Sequence, residues 1–310
     1  MKVVFFGSPG AALPSLEKIL DAGHIVPLVI SQPDKPAGRG KALTPPPVKE
    51  FALHRGIPIL QPARIRKDET VLDVLKQINP DVHVVVAYGQ IMPGPIIYLP
   101  RFHSLNVHFS LLPKYRGASP VQWALLNGET TTGITIFELN EKMDEGGLVA
   151  REETAILPGE AAFELEERLA GLGADLLVRT LSRIETIKPL PQDHSQATYA
   201  PKIEKEQALV DWTSDASQID RRVRAFARRP GAYTFIQGQR IKILSGRRLE
   251  RTDSVRGPGE IISVAKDGVE VACGRGSVYR AERLQRENKK EMDAYALSLG
   301  LKLKPGDYFE

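Results

Sequence analysis

A chain of 310 residues exceeds one small module and suits two domains. With 42% hydrophobic and 26% charged residues it has ample material for a core, which excludes a disordered or collagen-like protein, and it holds no apolar run long enough to span a membrane. The formal charge of +4 hides an imbalance: residues 1–200 carry 20 basic and 22 acidic side chains, a net of −2, while 201–310 carry 22 and 16, a net of +6, so the C-terminal part is the one suited to a polyanion.

In chain order, the apolar run 3–6 predicts a strand that ends in the turn Gly7-Ser8-Pro9-Gly10. Leu13, Leu16, Ile19 and Leu20 follow at helical spacing, and 24–30 predicts a second strand. A short strand at 57–60, a helix through Val71, Leu72, Leu75 and Ile78, and a strand at 82–86 continue the alternation. Two more strands are expected at 105–109 and 133–139, then a long helix over 158–185. Apolar strands alternating with helices predict a doubly wound α/β domain with a mostly parallel sheet. The stretch 188–201, with its prolines among polar residues, reads as a linker. Beyond it, a helix at 216–227 precedes short strand-like runs at 232–237, 240–244, 259–264, 269–272 and 277–280, a spacing that predicts a small barrel or sandwich. The N-terminus lacks the apolar segment and cleavage site of a signal peptide, and the single Cys273 excludes an internal disulfide and a cysteine zinc site. A cytoplasmic protein with no membrane anchor is the expectation.

The first turn is not a dinucleotide fingerprint. Pro9 stands where the second glycine belongs, and the second strand runs into Ser31-Gln32-Pro33 rather than an acidic residue. No phosphate-loop motif occurs either. More informative is the stretch around 104–133. On a strand, Asn106 and His108 share one face, which puts an amide and an imidazole side by side at a strand end, where such sheets bind ligands. An Asn–His pair that merely satisfies loop backbone is the other reading of that spacing.

Asn106-Val-His108, Ser110-Leu111-Leu112-Pro113, Tyr115-Arg116-Gly117 and Pro120-Val-Gln-Trp resemble the signature of the 10-formyltetrahydrofolate-dependent formyltransferases, and Leu139-Asn-Glu-Lys-Met-Asp144 resembles the segment that supplies that family's third catalytic residue. The resemblance implies a Rossmann-like doubly wound formyltransferase domain over 1–190, a linker over 191–206 and a smaller C-terminal β-barrel domain over 207–310. It implies a catalytic trio of Asn106, His108 and Asp144. Contacts to the folate, 10-formyltetrahydrofolate as formyl donor, are implied for Ser110, Leu111, Leu112 and Pro113 and for the loop Val86, Ala87, Tyr88, Gly89, Gln90 and Ile91. No metal is implied. In such a site Asn106 and a protonated His108 would hold the oxyanion that develops as an amine attacks the formyl carbon, while Asp144 would orient His108 and a water.

Within the family, three features resemble the members that act on methionyl initiator tRNA. The loop from Gln32 to Pro45 matches their inserted basic loop and would present Lys35, Arg39 and Lys41 to RNA. Ala208-Leu-Val-Asp211-Trp212 resembles the opening of their C-terminal domain and Leu303-Lys-Pro-Gly-Asp-Tyr-Phe309 its close. That domain also carries the excess charge, with Arg222 and Arg248 among the expected tRNA contacts. A solvated loop is what the basic segment would otherwise be, and a sugar-nucleotide N-formyltransferase is the alternative activity. A monomer is expected. Two departures stand out: Ala227-Arg228-Arg229-Pro230 replaces a common Asn-Pro-Trp-Pro run, and Gly147 replaces a frequent aspartate.

Overall fold

The computed structural model describes residues 1–37, 42–253 and 255–310. These form two compact units. The first comprises Met1–Pro120, Thr131–Ala155 and Glu166–Pro201; the second comprises Val121–Thr130, Ile156–Leu165 and Lys202–Glu310.

The first unit begins with β1 (Lys2–Gly7), whose valines and phenylalanines are buried on both faces, as a central parallel strand requires. Gly7 lets it end tightly: a Cβ there would lie 3.1 Å from the Val86 carbonyl oxygen. After α1 (Leu13–Asp21) come β2 (Ile25–Ile30) and a hairpin of β3 (Lys35–Ala37) and β4 (Ala42–Thr44). Then follow α2 (Pro47–His54), β5 (Ile59–Leu60) and α3 (Glu69–Ile78), which stops at Asn79 in the left-handed region, φ 49°. Next in chain order are β6 (Val82–Val86), α4 (Gly94–Ile97), β7 (Ser104–His108), α5 (Pro120–Leu126), which belongs to the second unit from Val121 on, β8 (Thr131–Glu138), β9 (Leu148–Ala155) and the 20-residue α6 (Ala162–Leu181), which belongs to the first unit from Glu166 on.

The sheet runs β5-β2-β1-β6-β7-β8-β9. Its first five strands are parallel; β8 lies antiparallel to β7, and β9 antiparallel to β8. Gly173 of α6 permits close packing on it, since a Cβ there would sit 2.9 Å from Val107 Cγ1. On one side Val4, Phe6, Ile30, Leu75, Val85 and Ile96 form a continuous core.

His83 lies in that sheet, fully buried, its ring edge-on to Phe6. Ser104 Oγ gives its proton to the Ile97 carbonyl and so accepts from His83 Nδ1 at 3.1 Å, leaving Nε2 without a partner among the described residues. Burial pushes the imidazole down to about 3. The native ring is therefore neutral, whereas the unfolded ring takes up a proton below about pH 6.5. Its contribution is full above that pH and is lost at roughly 1.4 kcal/mol per unit as the pH falls toward 3. Urea midpoints at pH 7 and pH 5 should accordingly fall less for His83→Leu than for the wild type; equal falls would acquit His83.

The C-terminal stretch of the second unit carries α7 (Ala216–Ala225), N-capped by Asp215, which accepts from the backbones of Ser217 and Gln218. Strands β10 (Tyr233–Ile236), β11 (Gln239–Thr252), β12 (Ile261–Ala265), β13 (Gly268–Ala272), β14 (Ser277–Arg286) and β15 (Glu291–Asp293) make an antiparallel sheet ordered β10-β11-β14-β13-β12, with β15 on β14, and α8 (Ala294–Leu301) follows. Residues 307–310 close it into a barrel. Ile261 donates to the Asp307 carbonyl and Phe309 to that of Gly259, while Glu310 exchanges bonds with Phe235 of β10. Trp212 stacks on Phe309, centroids 5.6 Å apart, and donates to Thr234 Oγ1. The opening and closing segments of the domain thus meet across the barrel seam.

Each of the two departures has a contact of its own. Arg228 lays its guanidinium 3.8 Å over the Phe163 ring, inside the same unit, so a cation–π contact occupies the altered run. In the first unit, a Cβ at Gly147 would lie 2.8 Å from Pro189 Cβ, so an aspartate there would require Pro189 to shift.

Candidate active site

From β1 the chain turns back to β2 and β5; from β6 it proceeds the other way to β7. The loops after β1 and β6 therefore flank the switch point of the sheet, at the carboxyl ends of its strands, where open α/β sheets take their ligands. The loop 87–91 lies there. Ala87 and Gly89 adopt positive φ, 47° and 76°. The Tyr88 carbonyl accepts from Gln32 Nε2 at 2.9 Å and Ser8 Oγ at 3.4 Å, tying the two loops together. Tyr88 points its ring into the core against Phe6, and burial holds its phenol well above the usual range. Gln90 accepts from the Ile65 amide and donates to the Pro62 carbonyl. Val86 is buried, so Ala87, Gly89 and Ile91, the last 64% exposed, are what this loop offers a ligand.

Strand β7 places Asn106 and His108 on one face, beside that loop's strand: Asn106 is in register with Val85 of β6. Asn106 is half-buried, and its amide makes no hydrogen bond among the described residues. His108 is 7% exposed. Its Nε2 donates to the Tyr115 carbonyl at 2.9 Å, because a carbonyl can only accept, and this fixes the proton on that nitrogen. Its Nδ1 faces Asp144 Oδ2 at 3.8 Å, a separation that suits electrostatic support or a bridging water rather than a direct hydrogen bond. The same carboxylate oxygen accepts from the Gly117 amide at 2.7 Å. Asp144 has φ 53°, a left-handed backbone unusual for a residue with a side chain.

The turn 110–113 is held from β8. Thr135 Oγ1 donates to the Ser110 carbonyl and accepts from the Leu112 amide, while Ser110 Oγ donates to the Lys114 carbonyl. Leu112 is fully buried, which leaves Leu111 and Pro113 half-buried at the surface of the turn.

The expected RNA contacts divide between the two units. Lys35 is exposed at the start of β3 and donates to Gln32 Oε1. Arg39 and Lys41 lie outside the described residues. In the second unit Arg222 donates to the carbonyls of Gln207 and Leu209, and Arg248 to Ser217 Oγ and Glu250. Among the described residues no cluster of histidine, cysteine, aspartate or glutamate could hold a metal ion, and no helix is long and apolar enough to cross a membrane.

Sequence reasoning missed the backbone of 115–117. It supplies both the acceptor for His108 and the donor for Asp144, and a motif of side chains gives no sign of such main-chain roles. Gln192 was missed as well, since it stands in the stretch read as linker.

Fold and site together define an α/β enzyme that presents an amide, an imidazole and a carboxylate at the carboxyl end of one strand. The chain belongs to the formyl transferase family. Its residues 1–181 match the formyl transferase model and residues 202–302 the formyl transferase C-terminal domain. It is 41% identical over 308 residues to a methionyl-tRNA formyltransferase of Geobacter metallireducens, covering 99% of this chain and 97% of the other. It is 44% identical over 320 residues to a methionyl-tRNA formyltransferase of a Synechococcus strain, covering 100% and 98%. Among solved structures, HypX from Aquifex aeolicus in complex with tetrahydrofolic acid shares the fold, with a TM-score of 0.68 at 17% identity over all of this chain and half of that one.

Proposed function

We propose that the protein transfers the formyl group of 10-formyltetrahydrofolate to the α-amino group of methionyl initiator tRNA, with residues 1–190 catalysing, 207–310 gripping RNA and 191–206 joining them, as a cytoplasmic monomer. The observation that carries the chemistry is the Asn106 amide, free of partners among the described residues, beside an imidazole whose Nε2 is already committed and whose Nδ1 faces a carboxylate. The full-length likeness to methionyl-tRNA formyltransferases supports the acceptor.

In this reading the amine nitrogen bonds to the formyl carbon and the carbonyl pair moves onto oxygen. Asn106 and the protonated Nδ1 of His108 donate to that oxyanion, and Asp144 balances the imidazolium. As the bond to N10 of the folate breaks, the proton lost by the amine passes to N10, directly or through water held by the free oxygen of Asp144. No covalent enzyme intermediate is needed. Ala87, Gly89, Ile91, Leu111 and Pro113 touch the folate, and Val86, Tyr88, Gln90, Ser110 and Leu112 shape the loops that do. Lys35, Arg39 and Lys41, with Arg248 and the guanidinium nitrogens of Arg222 other than the Nη1 held by two carbonyls, meet RNA phosphates.

The acceptor is tested by offering methionyl initiator tRNA, methionyl elongator tRNA and an amino-sugar nucleotide to the same enzyme. Transfer to the initiator tRNA should dominate, its KM rising on the order of 10³-fold between 50 and 200 mM salt if about six phosphates are contacted, while the folate KM stays level. Arg39→Ala should raise the tRNA KM alone. Preferential, salt-insensitive transfer to the sugar nucleotide would replace this reading with its rival.

A further inference from the structure

The stretch 192–200 is stitched along the active-site turn within the first unit. Tyr115 and Arg116 donate from their amides to Thr198 Oγ1 and the Thr198 carbonyl, each at 2.9 Å; Ala200 donates to the Arg116 carbonyl at 2.7 Å and Ser119 to that of Ala200 at 3.1 Å. Gly117 closes against the same stretch, for a Cβ there would lie 2.7 Å from the Ala200 oxygen. The two backbone groups that hold His108 and Asp144 are therefore themselves held by this segment.

At its head stands Gln192, 5% exposed, with every amide position in use. Its Oε1 accepts from Arg116 Nη2 at 2.7 Å and Nε at 3.2 Å. Its Nε2 donates to the carbonyls of Asp144 and Gly146, both at 2.8 Å. Arg116 is 1% exposed and is fixed in turn by Glu145 Oε1 at 3.5 Å and His194 Nδ1 at 3.2 Å. A left-handed, non-glycine backbone such as that of Asp144 persists only where its surroundings over-determine it. Here the determinant is an amide that grips the peptide of Asp144 and of the residue two further on.

We propose that Gln192, oriented by Arg116, is a positioning residue that holds the Asp144 carboxylate against His108. The inference rests on the catalytic reading of Asp144 given above. It assigns the two ends of the side chain different tasks. Arg116 selects which way the amide points, since a guanidinium only donates, and that leaves both N–H bonds for the carbonyls. A glutamate at this position keeps the arginine contact and gains charge complementarity, yet it turns a carboxylate oxygen toward two carbonyl oxygens. Anchoring of the 192–200 segment to the domain is kept while the grip on Asp144 is lost.

The test is a double-mutant cycle of Gln192→Glu with Asp144→Ala, read as kcat and KM for formyl transfer. In the wild-type background Gln192→Glu should lower kcat by about 10²-fold, the cost of a misplaced catalytic group, with the folate KM within about threefold. In the Asp144→Ala background the same substitution should change kcat by less than about threefold. Gln192→Met, which removes the donors without adding charge, is read in the same cycle if the glutamate variant does not fold, and the expectation is identical. A full multiplicative loss in both backgrounds would mean that Gln192 does not act through Asp144, and the inference falls. Near-normal turnover of Asp144→Ala alone would instead overturn the catalytic reading itself. The two failures are thus told apart.

Discussion

Asn106→Ala and His108→Ala should each lower kcat for formyl transfer by roughly 10²–10³, the usual cost of removing one oxyanion donor, while the folate KM moves by no more than a few-fold. The two differ in what else they disturb. The Asn106 amide has no hydrogen bond within the described residues, so its removal orphans nothing and stability should stay near wild type. His108 is buried and donates to the Tyr115 carbonyl, so its removal takes a donor from a buried acceptor at a cost of about 1–3 kcal/mol. His108→Ala should thus show a lower melting temperature where Asn106→Ala does not. In the proposed mechanism the two donors serve one oxygen, so the double variant should lose far less than the product of the single losses. Single-turnover transfer from radiolabelled formyl-folate, measured well below the melting temperature, separates the effects. Near-normal turnover in both single variants would remove this strand face from the chemistry.

The first half of the fold was legible because its strands are apolar on both sides. The runs at 3–6, 24–30 and 82–86 became β1, β2 and β6 in a parallel sheet, with helices where the 3.6-residue spacing put them. The expected mostly parallel sheet gains two antiparallel strands. One of these, β9, is not announced by the sequence because its residues are only half-buried or exposed and include charges such as Arg151, Glu152 and Glu153, which reads as a polar loop. The long helix was drawn too generously at both ends: α6 begins at Ala162 and stops at Leu181, since neither end carries the capping pattern that would have fixed it. Short helices at α2 and α4 were hidden among prolines that in fact occupy their first turns. In the second unit the hairpin strands were read too short, because β11 and β14 continue through charged residues on one face. The apolar α8 shows no amphipathic stripe to announce it.

The site divides along the same line. Asn106 and His108 could be paired from strand alternation alone, and the structure places both on β7 at the switch point. Asp144 comes to them from 36 residues later in the sequence through a turn whose shape depends on Gly117, Gln192 and Arg116, and no local pattern encodes that. The basic residues were legible as charge but not as surface. Arg224 is paired with Asp220 and bonded to the Glu160 carbonyl, and Arg222 is bonded to two carbonyls, so a sum of arginines overstates what a polyanion can meet.

Gly146→Ala should abolish most of the activity at a modest cost in stability. A Cβ on Gly146 would lie 1.6 Å from the Glu138 carbonyl oxygen and 2.8 Å from its carbon. Both are backbone atoms of β8, so no side-chain rotation relieves the clash, and the 144–147 turn must lift off the strand. Three bonds go with it: the Gln192 amide to the Gly146 and Asp144 carbonyls, and the Glu138 amide to the Gly147 carbonyl at 2.9 Å. Overpacking of this kind costs about 1–3 kcal/mol, which a well-packed domain survives. The displacement also carries Asp144 away from His108 and the Gly117 amide, and a shift of about 1 Å in a catalytic group costs on the order of 10² in rate. Melting temperature and kcat should therefore fall together, but kcat should remain low at temperatures where the variant is fully folded. The neighbouring Gly147→Ala offers the contrast: its Cβ would crowd Pro189 Cβ at 2.8 Å and reach the Leu190 carbonyl oxygen only at an ordinary 3.7 Å, so the strain falls on Pro189 rather than on β8. It should lose less activity than Gly146→Ala. Equal losses in the two variants would show that steric crowding in general, and not the seating of Asp144 against β8, governs this turn.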